Sequence, residues 1–393
     1  MTHRIAPVLL LSALTGFAVL PAPHRSSAHP DALIVHEWGT FTTVAGADGR
    51  AIEWVPLGGP TDLPCFVERY QNQAAVKVGL SAKVRMETPV LYFYAPHDTT
   101  VSVRVTFPRG LMTEWYPHAT VTQGPATPAT LHDAKQASVI AWPSVAIKTR
   151  DAGKFSSEEG TSHYYAARRT ESAPLVVQRQ SERFLFYRGV ANFDVPLSTE
   201  LAGERSVRVR VLGGEEIPAV VLFEKRGTSL RYLIHERVRG EIALTLPAVD
   251  GIMNDLGAAL VRLLESQGLY PKEATAMVDT WRDSWFEDGM RVFYLMPRRA
   301  VDAVLPLAIT PAPSATARVF VGRTEVLTPR DEQAVARAIA SNDAAALERY
   351  GRLLQPLGAR VLATMTDAGA RMRARSLIDA TFQRYLSRAA VCE

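Results

Sequence analysis

The sequence predicts an α+β protein, with an antiparallel β-sandwich-like domain over residues 29–248 and a mainly helical domain with a few strands over 249–393. Three observations predict it. The chain opens with the three-part pattern of an export signal, residues 33–246 carry short apolar runs of period two, and after Asp250 the period lengthens to that of a helix.

His3 and Arg4 give a basic start, residues 5–20 an apolar run, and Ser26-Ser27-Ala28 the small residues that precede a cleavage point. That is the pattern of a secretory signal over residues 1–28. The run falls short of the roughly 20 residues a membrane-spanning helix needs. Pro7 and Gly16 also interrupt it. Cleavage is therefore expected rather than anchoring, with no transmembrane span in the mature form and a periplasmic or secreted location. Arg4 stands alone and cysteine first appears at Cys65, so neither a twin-arginine nor a lipoprotein signal is visible. Losing Arg4 and Arg25 lowers the formal net charge from +4 to +2, too weak a balance for a nucleic-acid partner. Cys65 and Cys392 are the two cysteines. In an oxidising compartment they can form one bridge from the first domain to the tail, or remain two separate thiols.

Strands are expected at 33–44, 83–94, 100–107, 137–147, 183–190, 206–212, 219–223 and 229–235. Val101-Ser102-Val103-Arg104-Val105 and Val207-Arg208-Val209-Arg210-Val211 alternate strictly, which puts one face on a core and one in water. Residues 148–162 are polar, contain glycine and lack an apolar period, so they read as a long mobile loop. Beyond the boundary near 248, a helix over 251–267 stops at Gly268, and Pro271 opens another that ends at Gly289. Strand character returns at 291–296 and 317–327. Thr328-Pro329-Arg330-Asp331 then supplies a cap, a first-turn proline and an early acid for a helical tail.

Candidate site residues come from three places. On a strand, His36 shares a face with Trp38 and Thr40, and Glu37 shares the other with Val35, Gly39 and Phe41. An ionisable group between apolar neighbours has a perturbed proton affinity, which serves acid–base chemistry, and Gly39 leaves room for a ligand beside Glu37. The structural alternative is a strand end bonded to neighbouring loops. Glu87 precedes Pro89, which marks an edge or bulge. If Glu87 meets Glu37, the two make a carboxylate pair for hydrolysis; otherwise Glu87 pairs with Arg85 or another arginine. His163, Tyr164 and Arg168 follow the 148–162 loop and could close over a ligand, or simply open an ordinary strand. On the 271–287 helix, Met277, Trp281 and Trp285 form one stripe and Asp279, Asp283 and Glu287 a second, nearly opposite. The plain account is an amphipathic helix, tryptophans inward.

No zinc-protease pair, nucleophile elbow, phosphate loop or dinucleotide fingerprint is present, and no motif names a metal or cofactor. The strings HEWGTFT (36–42), METPVLYFY (86–94) and WRDSWFEDGMRVFY (281–294) together resemble an uncharacterised family of exported bacterial proteins, over nearly the whole mature chain. The resemblance implies export and a bacterial source, and brings no activity or site residue with it. The leading expectation is a binding or envelope-associated protein. Trp38, Trp54, Trp115, Tyr116 and Trp142 would stack on a carbohydrate or meet an envelope protein, with Trp38, Tyr164 and Arg168 as the ligand-binding candidates. The alternative is an extracytoplasmic hydrolase on Glu37 and Glu87, with His36 and His163 assisting and a metal left open. N-terminal sequencing of the protein recovered from periplasm or medium is expected to begin at or near His29. A full-length cytoplasmic product would overturn the export expectation.

Overall fold

The computed structural model describes residues 32–59, 63–70, 80–150, 153–159 and 162–387; the expected signal peptide and Cys392 lie outside them. Cys65 is disulfide-bonded. No helix among the described residues is long and apolar enough to cross a membrane.

The architecture is mixed α and β, mostly sheet, and mostly antiparallel. A nine-stranded sheet runs in the order Ser229–Val238, Ile217–Arg226, Gly289–Leu295, Ala315–Val326, Ile34–Val44, Val84–Tyr94, Leu185–Ala191, Gly110–Tyr116, Glu68–Arg69. Its centre is the exception to antiparallel pairing: Ile34–Val44 lies parallel to Ala315–Val326, with Glu37 opposite Arg318. The boundary expected near 248 therefore does not divide this sheet, because the strands at 289–295 and 315–326 return to its middle. Apolar period identifies a strand but not the strand it pairs with, so their return was not readable in advance.

One face of the sheet packs Val35, Phe41, Leu91 and Val292 against two smaller sheets. There the alternation behaves as the sequence expects: Val101, Val103 and Val105 are buried and Arg104 is exposed; Val207 and Val209 are buried and Arg208 and Arg210 exposed. The opposite face packs Trp38, Tyr92, Phe293 and Val321 against the helices Met253–Ser266 and Pro271–Trp285. Past the end of the central strands, Val44 and Leu327 meet a tail of helices beginning with Pro329–Ala340. Ile34–Val44 is thus covered on both faces, and every residue after Ile34 is buried.

The helix ends follow local chemistry. Pro271 occupies the first turn, where its missing N–H costs nothing, and Glu273 turns back to accept the Tyr270 amide at 2.8 Å. Gly268, at φ +106°, ends the preceding helix in a conformation that favours glycine. Thr328 caps the tail's first helix through the Asp331 amide and donates to the Asp331 carboxylate at 2.6 Å. On Pro271–Trp285 the stripes fall as amphipathicity requires: Met277, Trp281 and Trp285 are buried, and Asp283 is exposed. Truncation of a buried aromatic leaves a cavity, so Trp285→Ala should cost about 3–5 kcal/mol in denaturant melts, while Asp283→Ala should stay within about 0.5 kcal/mol. The reverse order would mean that the helix presents the wrong face.

Candidate functional site

The structure does not bring the sequence-derived candidates together. Glu37 is fully buried: the Tyr187 hydroxyl donates to one oxygen and Arg318 Nε to the other at 2.5 Å, while Arg318 also reaches Asp302 at 2.7 Å. Burial and then the Glu37 charge push the Tyr187 phenol far up, so it stays a donor. The space expected beside Gly39 is filled, because a Cβ there would stand 2.7 Å from the Phe320 ring and 3.1 Å from Pro89 Cα. Glycine is required here by close packing, and no ligand reaches Glu37 past it.

Glu87 faces the other side of the sheet. Its neighbour Met86 enters the same core as Val35, so Glu87 points away from Glu37, toward Arg85 Nε at 3.2 Å and Arg352 at 3.5 Å. Thr88, at φ +49°, and a register shift in the pairing with Ile34–Val44 mark the expected bulge. No carboxylate pair forms between Glu37 and Glu87. His36 sits on the helix side, where Nδ1 meets Glu273 at 2.7 Å and the ring packs on Tyr270 and Tyr94. Tyr94 donates to the second Glu273 oxygen at 2.8 Å, so this group docks the helix on the sheet. His163 lies at the surface, 3.3 Å from Asp283.

The ligand-binding candidates are corrected as well. Trp38, Trp54, Trp115, Tyr116 and Trp142 are all buried and offer no face for stacking. Three of these indoles donate inward, Trp54 to Lys83 O, Trp115 to Glu68 and Trp142 to Pro117 O. Tyr164 is buried and donates to Glu182 at 2.9 Å. Arg168 is clamped to Glu182 and to Ser156 O, with its guanidinium 4.9 Å from the Tyr165 ring centroid. The described part of the expected loop is tied down accordingly: Ser156 holds Arg168 and Glu158 accepts the Phe66 amide.

A different group of residues lines a concave, polar site. A cleft of about 450 Å³ lies between the end of the nine-stranded sheet and the helical tail. One side is the turn Glu287-Asp288-Gly289 and Arg226; the other is the tail segment from Glu348 to Leu353, with Tyr385. Its floor is a buried ion network. Arg291 and Glu325 stand opposite each other in register and meet at 3.1 Å. Arg323, two residues before Glu325 on the same face, bonds Glu325 at 2.5 Å and Glu287 at 2.6 Å. Burial alone would raise the Glu325 carboxyl, but Arg291 and Arg323 outweigh it and hold the group below the usual carboxylate range. Arg226 grips both Asp331 oxygens, and Asp331 is lowered in the same way, its burial outweighed by Arg226 and Thr328.

Sequence reasoning missed this network. Its visible signal was arginine and glutamate two residues apart inside apolar strands, at Arg85/Glu87 and Arg323/Glu325.

No protein-family model and no curated protein matches the chain. Among solved structures it is similar to the yeast delta-COP-I mu-homology domain, alone (9% identity, TM-score 0.28) and complexed with a Dsl1 WxWxV peptide (8%, 0.27). In each case 76% of this chain and 98% of the other is covered. Likeness at that level carries no argument about fold or ligand.

The cleft floor has a testable acid response. Glu325→Gln leaves two buried arginines short of a counter-charge and should cost about 3–5 kcal/mol at pH 7. A carboxylate held below its ordinary value contributes stability that is present above the unfolded value of about 4.3 and is lost as pH falls through the folded value. Denaturant melts between pH 7 and pH 3 should therefore show a shallower acid decline in the variant than in the wild type. Equal stability at pH 7 with parallel acid slopes would mean that the network contributes nothing.

Proposed function

We propose that the protein is an exported, extracytoplasmic binding protein whose ligand occupies the charged cleft between the nine-stranded sheet and the helical tail. In this reading the three sheets form a β-sandwich-like part, and the tail supplies the second wall of the site. The cleft carries the proposal: about 450 Å³ falls within the range of small-molecule sites, and its acidic groups Glu287, Asp288, Glu325 and Asp331 are already held by cations. Export rests on the three-part N-terminus of the sequence.

A small polar ligand suits the site better than a flat protein partner, because its opposed walls are concave and charged. Carbohydrate stacking finds support only in Tyr350 and Tyr385, since the tryptophans named as stacking candidates are buried. Hydrolysis by Glu37 and Glu87 has no observation in its favour, as the two carboxylates point to opposite sides of the sheet.

A thermal-shift screen over sugars, amino acids, organic acids and phosphates tests the proposal. Leu353→Trp serves as the cleft-filling variant, because Leu353 is a partly buried wall residue. A true ligand at a hundredfold excess over its Kd adds about 2.7 kcal/mol. It should raise the wild-type melting temperature by several degrees and leave the variant unmoved. A ligand that stabilises both equally binds elsewhere, and the proposal fails.

A further inference from the structure

We infer that the cleft selects its ligand by an oxyanion, a carboxylate or phosphate group, received by Arg349, Arg352 and the Tyr350 hydroxyl. The inference rests on the reading of the cleft as the ligand site and adds the chemistry of recognition.

The argument is an accounting of charges around one cavity. Its acids are already committed. Glu325 is held by Arg291 and Arg323, Glu287 by Arg323, Asp288 by Lys225 at 2.8 Å and the Gly227 amide at 3.0 Å, and Asp331 by Arg226. Glu348 is likewise engaged. A cationic ligand would have to share these carboxylates with the cations that already neutralise them.

The cations of the tail wall are less committed. Arg349 is exposed, and its side chain makes no ion pair or hydrogen bond among the described residues. Arg352 is about one-third exposed, at 32% of its side chain, and stands 3.5 Å from Glu87. That contact is long, and Arg85 meets the same Glu87 oxygen at 3.2 Å, so Arg352 can turn to a ligand without stranding the carboxylate. Between them Tyr350 is half-buried on the cleft wall; burial and the Asp331 charge raise its phenol, which stays protonated and able to donate. Two planar guanidinium forks and one hydroxyl donor suit the several lone pairs of a carboxylate or phosphate, and arginine binds both in bidentate fashion.

Two short stretches fix this wall. Asp343 caps the Ala344–Glu348 helix through the Ala346 amide at 2.9 Å, and Gly351, at φ +50°, turns the chain against the Tyr385 ring. A Cβ on Gly351 would lie 3.2 Å from that ring, so glycine lets Tyr350 and Arg352 present their side chains from a tight turn.

Calorimetric titration at low ionic strength with inorganic phosphate and, separately, with succinate tests the inference on the mature protein. Saturable binding of at least one probe is expected, and whichever binds tighter identifies the phosphate or the carboxylate as the natural group. The double variant Arg349→Ala/Arg352→Ala should weaken that binding at least tenfold, Tyr350→Phe about threefold, and Arg375→Ala, an exposed arginine elsewhere on the tail, not at all. Arg349→Ala alone alters only an exposed side chain, so it gives a result even if the double variant misfolds, and should weaken binding severalfold. Absence of saturable binding of either probe overturns the inference, as does binding that survives the arginine substitutions. If the broad screen meanwhile finds a ligand that Leu353→Trp excludes, only the oxyanion chemistry is lost. Oxyanion binding that persists in Leu353→Trp removes the cleft reading and this inference together.

Discussion

Parallel pairing between Ile34–Val44 and Ala315–Val326, 281 residues apart at the Glu37–Arg318 contact, is the constraint on which the other layers depend. It places a strand from each end of the chain at the middle of nine. Both faces of the pair are then covered, one by the smaller sheets and one by helices. In a strand buried on both sides an ionisable residue is costly unless it finds a partner at close range. Glu37 finds Arg318 and Tyr187 on one face; His36 finds Glu273 on the other. Losing one member of such a pair leaves a buried charge uncompensated and is costly, whereas replacing both by apolar residues of similar volume need not be.

The same sheet prepares the cleft. Arg291, Arg323 and Glu325 lie on neighbouring strands in fixed register, and Arg291 also caps the turn before its strand by donating to the carbonyls of Trp285, Glu287 and Asp288. The turn that presents Glu287 and Asp288 is thereby held from below. Side chains ordered by one another in this way give the cleft a rigid floor. The opposite wall is a short helix and a one-turn segment of the tail, resting on Tyr385, Leu357 and Leu354.

How much of this was readable from the residues depends on burial. The half-exposed strands were legible, because Val101, Val103 and Val105 alternate with residues that meet water. The helix from Pro271 to Trp285 was legible in its start and its buried stripe. The central strand is legible as a strand, expected over 33–44 and found at Ile34–Val44, but its cover on both faces is not, since no polar side marks which way it lies. His36 and Glu37 were rightly singled out as ionisable groups drawn into apolar settings, but their partners are separated from them by 237 and 281 residues and no local pattern names those partners. The cleft was invisible for the same reason: it is assembled from five segments, and only its arginine–glutamate pairs two residues apart left a trace. Aromatic residues misled because their size, which suits a stacking surface, suits a core better.

One consequence of the central parallel pair concerns timing. The strand Ile34–Val44 must wait for residues 315–326 before its sheet can close, and closing a loop of that length makes folding slow. During synthesis the first 300 residues lack the strand that completes their centre. The pairing that completes the sheet also holds back its closure until nearly all of the chain has been made.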